Sequence, residues 1–194
     1  MLNYLAFSYL ESEGGWQWLA TQKLPAGTYT SQALFRLSHQ KDPSDIVWVS
    51  WYVNLRIIVE PSMAEVNMPS TMQMVDKKTA NNRVVGEGAV QISAQGTLGR
   101  NLRIETRSAN GGRLIKGSEE IPYTLSVSTL YGDYKPYLLI DSGHVQAPAV
   151  IPLYGRDFDY PLRLNAHFDT PMSRITTGYF RDRVTLVFST SDVP

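Results

Sequence analysis

The chain contains no cysteine, which excludes disulfides, thiolate chemistry and cysteine-based metal sites. Lys plus Arg equals Asp plus Glu at 18 each, so no overall field attracts nucleic acid or an anionic membrane. No apolar run approaches the ~20 residues of a membrane span. The opening segment 2–10 lacks the basic start of a signal peptide, so a secreted form would already have lost its signal. We therefore expect no nucleic-acid partner and no membrane span.

The sequence also offers little for catalysis. Asp141-Ser142-Gly143-His144 has the residue types of a serine hydrolase, but three groups within four residues cannot form a triad by themselves, so a turn is favoured. His167 and Asp169 share one face of a strand, where a surface hydrogen bond is favoured over a shared metal or proton. Gly86-Glu87-Gly88 lacks the third glycine and the lysine that cradle a phosphate.

The paired carboxylates give no stronger signal. Glu119 and Glu120 are adjacent on a predicted strand and would face opposite ways. Asp157 and Asp159 are interpreted as part of a solvated turn. We expect no catalytic, cofactor or metal site, and no enzyme.

What the sequence does contain is an unusually long alternating segment. Alternation of period two is typical of a strand with one buried face. At about 3.3 Å per residue, a strand over 47–59 would be about 43 Å long, roughly twice the usual length. Such a strand is expected either to bend across two sheets or to run from one module into the next. Its apolar odd positions are Val47, Val49, Trp51, Val53, Leu55, Ile57 and Val59.

Shorter strand patterns recur along the rest of the chain, and helical periodicity is weak because Pro61 and Pro69 interrupt the one candidate segment, 63–78. Asn110-Gly111-Gly112 is a strong turn signal. About nine short strands after residue 46 favour an antiparallel sandwich or barrel. The predicted short strands are 89–94, 102–106, 114–115, 121–129, 137–140, 145–151, 162–168 and 184–188.

The pattern suggests three parts. Residues 1–40 are interpreted as a small β unit, with a hairpin from 4–10 and 16–20 and a third strand at 33–37. Residues 41–46 are polar and are interpreted as a linker, although a long turn fits as well. Residues 47–194 are expected to form the main β domain, opened by the long strand.

An internal echo connects the two ends of the chain. Gly27 is followed by apolar residues at offsets of 6, 8 and 10, and Gly178 is followed by apolar residues at the same offsets. Any turn-to-strand junction in an all-β protein can look like this. The alternative is that each copy is the strand that closes a domain.

The segment from Gly178-Tyr179 to Val184-Thr185-Leu186-Val187-Phe188 resembles the last strand of chaperone–usher fimbrial subunits. In that family the strand follows a Gly-Thr-Tyr or Gly-x-Tyr turn. Pro25-Ala26-Gly27-Thr28-Tyr29 is similar to the same motif, as in tip adhesins, where a receptor-binding domain precedes a pilin domain. The absence of cysteine points to the cysteine-free branch, with residues 1–40 as the end of an adhesin domain.

The resemblance implies an all-β, immunoglobulin-like antiparallel β-sandwich that lacks one strand. A neighbour's extended segment would fill the resulting groove by donor-strand complementation. It implies neighbouring fimbrial subunits and a periplasmic chaperone as partners, with a host receptor or glycan as a further candidate. The location implied is the bacterial cell surface, reached through the periplasm. The groove is predicted to be lined by Val47, Val49, Trp51, Val53, Leu55, Val184, Leu186 and Phe188.

Aromatic residues provide a separate candidate ligand surface, because aromatic faces contribute contact area at low entropy cost. Burial of both faces of the 47–59 strand would explain its aromatics more simply. Two other classes therefore stay open: a self-contained β-sandwich binding module for carbohydrate or protein, and a viral jelly-roll structural protein. The candidate ligand surface comprises Trp16, Trp18, Trp48 and Tyr52.

Overall fold

The computed structural model describes residues 24, 26–42, 45–78, 81–131, 135–153 and 159–191. Within them, regular structure is almost entirely β-strand, with one turn of 3-10 helix at Met172–Arg174. This confirms the prediction of an all-β fold. The strands are β1 (Gly27–Asp42), β2 (Asp45–Val59), β3 (Ser62–Asn67), β4 (Val75–Lys78), β5 (Arg83–Thr97), β6 (Asn101–Ser108), β7 (Arg113–Lys116), β8 (Glu119–Pro122), β9 (Thr124–Thr129), β10 (Tyr137–Asp141), β11 (His144–Val145), β12 (Ala149–Pro152), β13 (Asp159–Pro171) and β14 (Val184–Ser191).

The chain divides into two compact units, residues 1–60 and 61–194. In the first unit, β1 and β2 form an antiparallel hairpin whose register runs from Gly27 opposite Val59 to Asp42 opposite Asp45. The alternating segment is thus one arm of a long hairpin. It neither bends across two sheets nor passes between modules, because β1 supplies a pairing partner along its whole length.

The hairpin bears on two sequence predictions. The segment 41–46 contains the end of β1 and the start of β2, with Asp42 opposite Asp45; residues 43 and 44 lie outside the described residues, so both interpretations of this segment stay predictions. The compact units divide after Glu60, whereas the sequence suggested a boundary at 41–46 and a main domain that starts at residue 47. The difference arises because hydrogen-bonded pairing joins residues on both sides of the polar segment.

The second unit is an antiparallel sandwich-like arrangement. Its larger sheet has the strand order β11-β10-β9-β13-β5-β3, with β4 also paired to β5. Its smaller sheet has the order β12-β6-β14, and β7 and β8 form a separate hairpin. β5 pairs with β13 along 13 residues of that strand, so this pair forms the centre of the larger sheet.

The core lies between these sheets and is built by alternation. Inward positions of β13 and β6 are buried while the positions between them are half-buried or exposed. Each fully buried aliphatic side chain contributes roughly 1.5–3 kcal/mol. The largest fully buried side chains are Leu102, Ile104, Ile121, Leu139, Ile140, Ile151, Leu162 and Val127.

A tight corner at residues 98–100 connects β5 with β6. Ser62 of β3 pairs with Thr97 just before this corner, and Ser191 of β14 pairs with Asn101 just after it. The first strand and the last strand of this unit therefore meet the same end of the sandwich. Cα atoms of β3 and β14 come within 8 Å of each other.

Two glycines of the central strand explain a motif noted in the sequence. Gly86 lies opposite Phe168 in the register, and a Cβ on Gly86 would lie 2.0 Å from Cε1 of that ring. A Cβ on Gly88 would lie 2.7 Å from the backbone oxygen of Gln73. Both glycines serve close packing within a strand.

Candidate functional site

The last strand, β14, has one apolar face directed at the core. Val184, Leu186 and Phe188 are partly buried and pack against the core cluster. The residues between them point outward, and Val187 is 43% exposed. The strand thus has the alternation that the sequence predicted, but its inward side chains are only partly covered.

Within the described residues, β14 is paired on one side only. Its ladder with β6 runs without a register shift from Val184 opposite Ser108 to Ser191 opposite Asn101. One step before this ladder, the backbone N–H of Ala109 donates to the carbonyl of Arg183 at 2.9 Å. In an antiparallel pair, successive residues direct their backbone groups alternately toward and away from the partner.

That alternation shows which backbone N–H and C=O groups of β14 are not bonded to β6. Since Arg183 bonds toward β6, Thr185 and Val187 do so too, and the residues between them direct N–H and C=O away from β6. The free groups therefore belong to the same residues whose apolar side chains face the core. A strand seated at this edge would meet both the hydrogen-bonding groups and the apolar row.

The other edge strands of the described sandwich have features that discourage pairing with another chain. β12 is four residues long and contains Pro152, and β11 has two residues. β3 has a register shift between Met63 and Glu65. β4, β7 and β8 all contain charged residues. The eight residues of β14 contain no charge and no proline, and this strand is accordingly the edge best suited to strand addition.

A polar cluster fixes the start of β14. Oδ2 of Asp182 accepts hydrogen bonds from the Ser108 hydroxyl at 2.6 Å and from the Tyr123 hydroxyl at 2.7 Å. Oδ1 of Asp182 accepts from the backbone N–H of Asn110 at 3.2 Å. Tyr123 is 3% exposed, and its burial, followed by the hydrogen bond and the negative charge of Asp182, raises the pKa of its hydroxyl well above the usual value. The cluster connects β14 to β6 and to the β8–β9 junction.

The β7–β8 hairpin holds the loop that precedes this cluster. Ile115 and Arg181 form a two-bond antiparallel bridge, with distances of 2.9 and 3.1 Å. The ammonium group of Lys116 donates to the carbonyl of Thr177 at 2.6 Å. Oε2 of Glu119 accepts from the backbone and the hydroxyl of Thr176 at 3.2 and 3.0 Å. Together these contacts fix the direction in which the chain enters β14.

The residues predicted to line the groove lie in different units. Val184, Leu186 and Phe188 lie on β14 of the second unit, as described. Trp51, Val53 and Leu55 occupy the half-buried face of β2 in the first unit, and Val49 on the same strand is 39% exposed. The side chain of Val47 lies outside the described residues. A groove shared between the two sets stays a prediction.

Of the four aromatic residues of the candidate ligand surface, the structure describes the side chain of Tyr52. Tyr52 is 66% exposed on the outer face of β2, where residues 50, 54, 56 and 58 are exposed as well. Burial of both faces of this strand is therefore the wrong explanation for its aromatic residues, since the face that carries Tyr52 is exposed. Trp16, Trp18 and the side chain of Trp48 lie outside the described residues.

The candidate catalytic groups are engaged elsewhere. Ser142 and Gly143 form the two-residue turn between β10 and β11, both with positive φ, as the sequence indicated. Asp169 forms an ion pair with Arg83, in which Nε of Arg83 donates to Oδ1 of Asp169 at 2.6 Å. Among the described residues, no group of three or more His, Cys, Asp or Glu side chains is placed to hold a metal ion. No helix in the described part of the chain is both long and apolar enough to cross a membrane.

Glu119 and Glu120 also bind different partners. Glu119 accepts hydrogen bonds from Thr176, as described. Glu120 forms an ion pair with Arg113, with 2.7 Å between Oε2 of Glu120 and Nη1 of Arg113. They do not converge, in agreement with the sequence prediction. Asp157 lies outside the described residues, so the predicted turn at 157–159 is not tested.

Sequence reasoning missed the Tyr123–Asp182–Ser108 cluster. Its members are separated by 59 and 74 positions in the chain, and no local spacing marks them. One usable signal was Pro122, which has no backbone N–H and ends β8 just before Tyr123, within what looked like a single strand over 121–129.

Comparison with known proteins adds a likeness of fold. No family model and no curated protein matches the sequence. Among solved structures, the chain is similar to one from a chaperone–tip adhesin complex described as vital for synergistic activation of CFA/I fimbriae biogenesis. The TM-score is 0.53 at 17% identity, and the match covers 87% of this chain. This chain spans about half of the matched one, 54% of its length. The likeness shows a shared fold.

Proposed function

We propose that this chain is a structural or adhesive subunit of a bacterial surface fimbria, assembled by donor-strand complementation at β14. The observation that carries the proposal is the edge of β14, which is uncharged, free of proline and unpaired within the described residues. The likeness to a chain from a fimbrial chaperone–adhesin complex supports it. On this proposal the subunit passes a periplasmic chaperone, pairs with neighbouring subunits and is displayed outside the cell. The proposal assigns it no catalysis and no cofactor.

The energetics favour strand addition at this position. A partner strand would form backbone hydrogen bonds with the free groups of β14, and its alternate side chains would pack on the apolar row. Full burial of a Leu or Phe side chain contributes roughly 1.5–3 kcal/mol. Because Leu186 and Phe188 are already partly buried, the partner would supply only the remaining part of that burial.

The test uses the full chain and a synthetic peptide with the sequence of residues 27–40, whose Ala33, Phe35 and Leu37 provide an alternating apolar row. Thermal unfolding is recorded with and without this peptide. We expect the peptide to raise the melting temperature of the second unit. An unchanged melting curve at saturating peptide would contradict the proposal.

A matched pair of variants locates the binding. Val187→Lys places a charge on β14, and Val150→Lys places the same charge on β12, the opposite edge strand of the same sheet. The two valines are similarly exposed, at 43% and 40%. The peptide should stabilise Val150→Lys as it does the unmodified chain and should stabilise Val187→Lys less, because residue 187 faces outward and its lysine would repel the outward Arg36 of a peptide bound beside β14. Equal responses from both variants would exclude β14 as the binding edge.

A second candidate function is ligand binding by the outer face of the hairpin. Tyr52 lies directly opposite Leu34, which is 43% exposed. Beside them the amide of Gln32 donates to Oδ1 of Asn54 at 3.1 Å. An exposed aromatic ring next to amide groups suits a sugar, since the ring offers a stacking face and the amides offer donors and acceptors.

Glycan-array binding by the full chain tests this second candidate. Tyr52→Ala should abolish the signal. Ile58→Ala, at a residue 60% exposed on the same face, should retain it. Loss in both variants, or in neither, would exclude a sugar site at Tyr52.

A further inference from the structure

The outer face of the smaller sheet carries an excess of positive charge. Leu102, Ile104 and Thr106 of β6 are buried, so alternation directs the residues between them outward. Those residues are Arg103, Glu105 and Arg107. The described outward positions of β12 and β14 contain no charged residue.

Arg183 extends this charge to the start of β14. It precedes the strand by one residue and is exposed. Thr185 pairs with Arg107, so Arg183 and Arg107 are diagonal neighbours across the ladder, about 7–8 Å apart at their Cα atoms. Like charges at this spacing repel each other.

Compensation within the described residues is partial. Arg107 contacts Glu105 at 3.5 Å, and its side chain remains 72% exposed. Neither Arg103 nor Arg183 has an ion pair in the described part of the chain. Three arginines against one glutamate leave a net charge of two on the outward positions, while the neighbouring Asp182 directs its carboxylate to Ser108 and Tyr123.

A strand added to the free edge of β14 would lie next to this charge. Neighbouring strands are about 4.8 Å apart, so its outward side chains would lie one strand from Arg183 and two strands from Arg103 and Arg107. These distances are similar to the screening length of about 8–10 Å at ordinary salt concentrations. Carboxylates at outward positions would be attracted, and cations would be repelled.

We infer that the strand bound at β14 alternates apolar residues facing the core with acidic residues facing outward. This inference rests on the proposed function and names the chemistry of its partner. The chain's own β1 does not fit this description, because Arg36 lies between Phe35 and Leu37 and would face outward. The structure therefore assigns the natural partner strand to a different segment, with Asp or Glu at such a position.

The test compares two peptides with the sequence of residues 27–40, one unchanged and one with Arg36→Glu, by titration into the full chain. We expect the Arg36→Glu peptide to bind on the order of tenfold more tightly at 20 mM salt. The advantage should disappear at 1 M salt, where the screening length is about 3 Å. Equal affinities at low salt, or an advantage that survives 1 M salt, would overturn the inference while strand addition itself stands. Binding of neither peptide would overturn both.

Protein variants locate the effect. Arg183→Gln should reduce the advantage of the Arg36→Glu peptide several-fold, with little change in melting temperature because Arg183 is exposed. Arg163→Gln is the matched control, since Arg163 is exposed on the outer side of the larger sheet. An equal loss of advantage in both variants would show an effect of net charge alone and would overturn the assignment to this face.

Discussion

The hydroxyl of Tyr123 donates a 2.7 Å hydrogen bond to Oδ2 of Asp182 across 59 positions of sequence. This bond joins the β8–β9 junction to the residue that lies two positions before β14. The strand on which the proposed function depends is therefore set in place by a part-buried polar contact as well as by its apolar row.

Tyr123→Phe should lower the free energy of unfolding by about 1.5–3 kcal/mol, the range for hydrogen bonds to charged groups. The ring stays packed, and the variant leaves Asp182 with one donor fewer. Urea unfolding measures the change. Tyr179→Phe is the control, since Tyr179 is 81% exposed and should change stability by less than about 0.5 kcal/mol. A loss of similar size in both variants would contradict a specific role for the Tyr123 hydroxyl.

Stability should fall in alkaline solution because of Tyr123. Burial and Asp182 raise the pKa of its hydroxyl in the folded chain, while the unfolded chain has the ordinary value of about 10. The folded state therefore keeps a proton that the unfolded state releases. The contribution is complete below about pH 10 and is lost at up to about 1.4 kcal/mol per pH unit above it. Urea unfolding between pH 9 and 11.5 should show a steeper decline for the unmodified chain than for Tyr123→Phe, and parallel curves would contradict this origin.

Gly86→Ala should destabilise the second unit by about 1–3 kcal/mol, the usual cost of overpacking. The added methyl group would overlap the ring of Phe168, whose Cε1 lies 2.0 Å from the ideal Cβ position. Phe168→Leu in the same chain should recover part of the loss, because the smaller side chain leaves room for the methyl group. A double-mutant cycle by urea unfolding measures the coupling, and strictly additive effects would show that the two positions do not share this space.

Leu102→Ala should cost about 2–5 kcal/mol, as is usual for a buried leucine, and Leu186→Ala should cost less. Leu102 is fully buried, whereas Leu186 is only partly buried at the edge of the sandwich. The difference between the two costs should become smaller when the 27–40 peptide is bound, since a partner strand would complete the burial of Leu186 and so raise the cost of Leu186→Ala. Urea unfolding with and without peptide measures both costs. If Leu186→Ala lowers the free energy of unfolding equally with and without peptide, the prediction that a partner strand covers this apolar row is contradicted.

Local patterns were sufficient for much of the fold. Alternation over 47–59 predicted β2, which extends from Asp45 to Val59, and alternation over 184–188 predicted β14. The motif glycines also share a backbone state that favours glycine, with φ of 156° at Gly27 and 150° at Gly178. The likeness between the two turns thus extends from sequence to backbone conformation.

Which strands pair with each other could not be predicted from local sequence patterns. β3 and β4 escaped prediction because prolines interrupt their surroundings, yet both pair with the long strand β5. No sequence pattern indicated that β1 would pair with β2 along its length, which is why the segment 41–46 was also compatible with a linker. The polar cluster at Asp182 was equally invisible, since its partners come from three distant segments.

The corner at residues 98–100 has a mechanical consequence. Ser62 and Ser191 pair with the residues on its two sides, so a pulling force applied between these two serines would act across the β6–β14 ladder. The hydrogen bonds of an antiparallel ladder lie perpendicular to the strands, and such a force would break them one after another, starting at Ser191. A partner strand pulled along its own axis would instead load all of its bonds with β14 together. On the proposed function, a fibre of such subunits would then resist traction mainly through the borrowed strand.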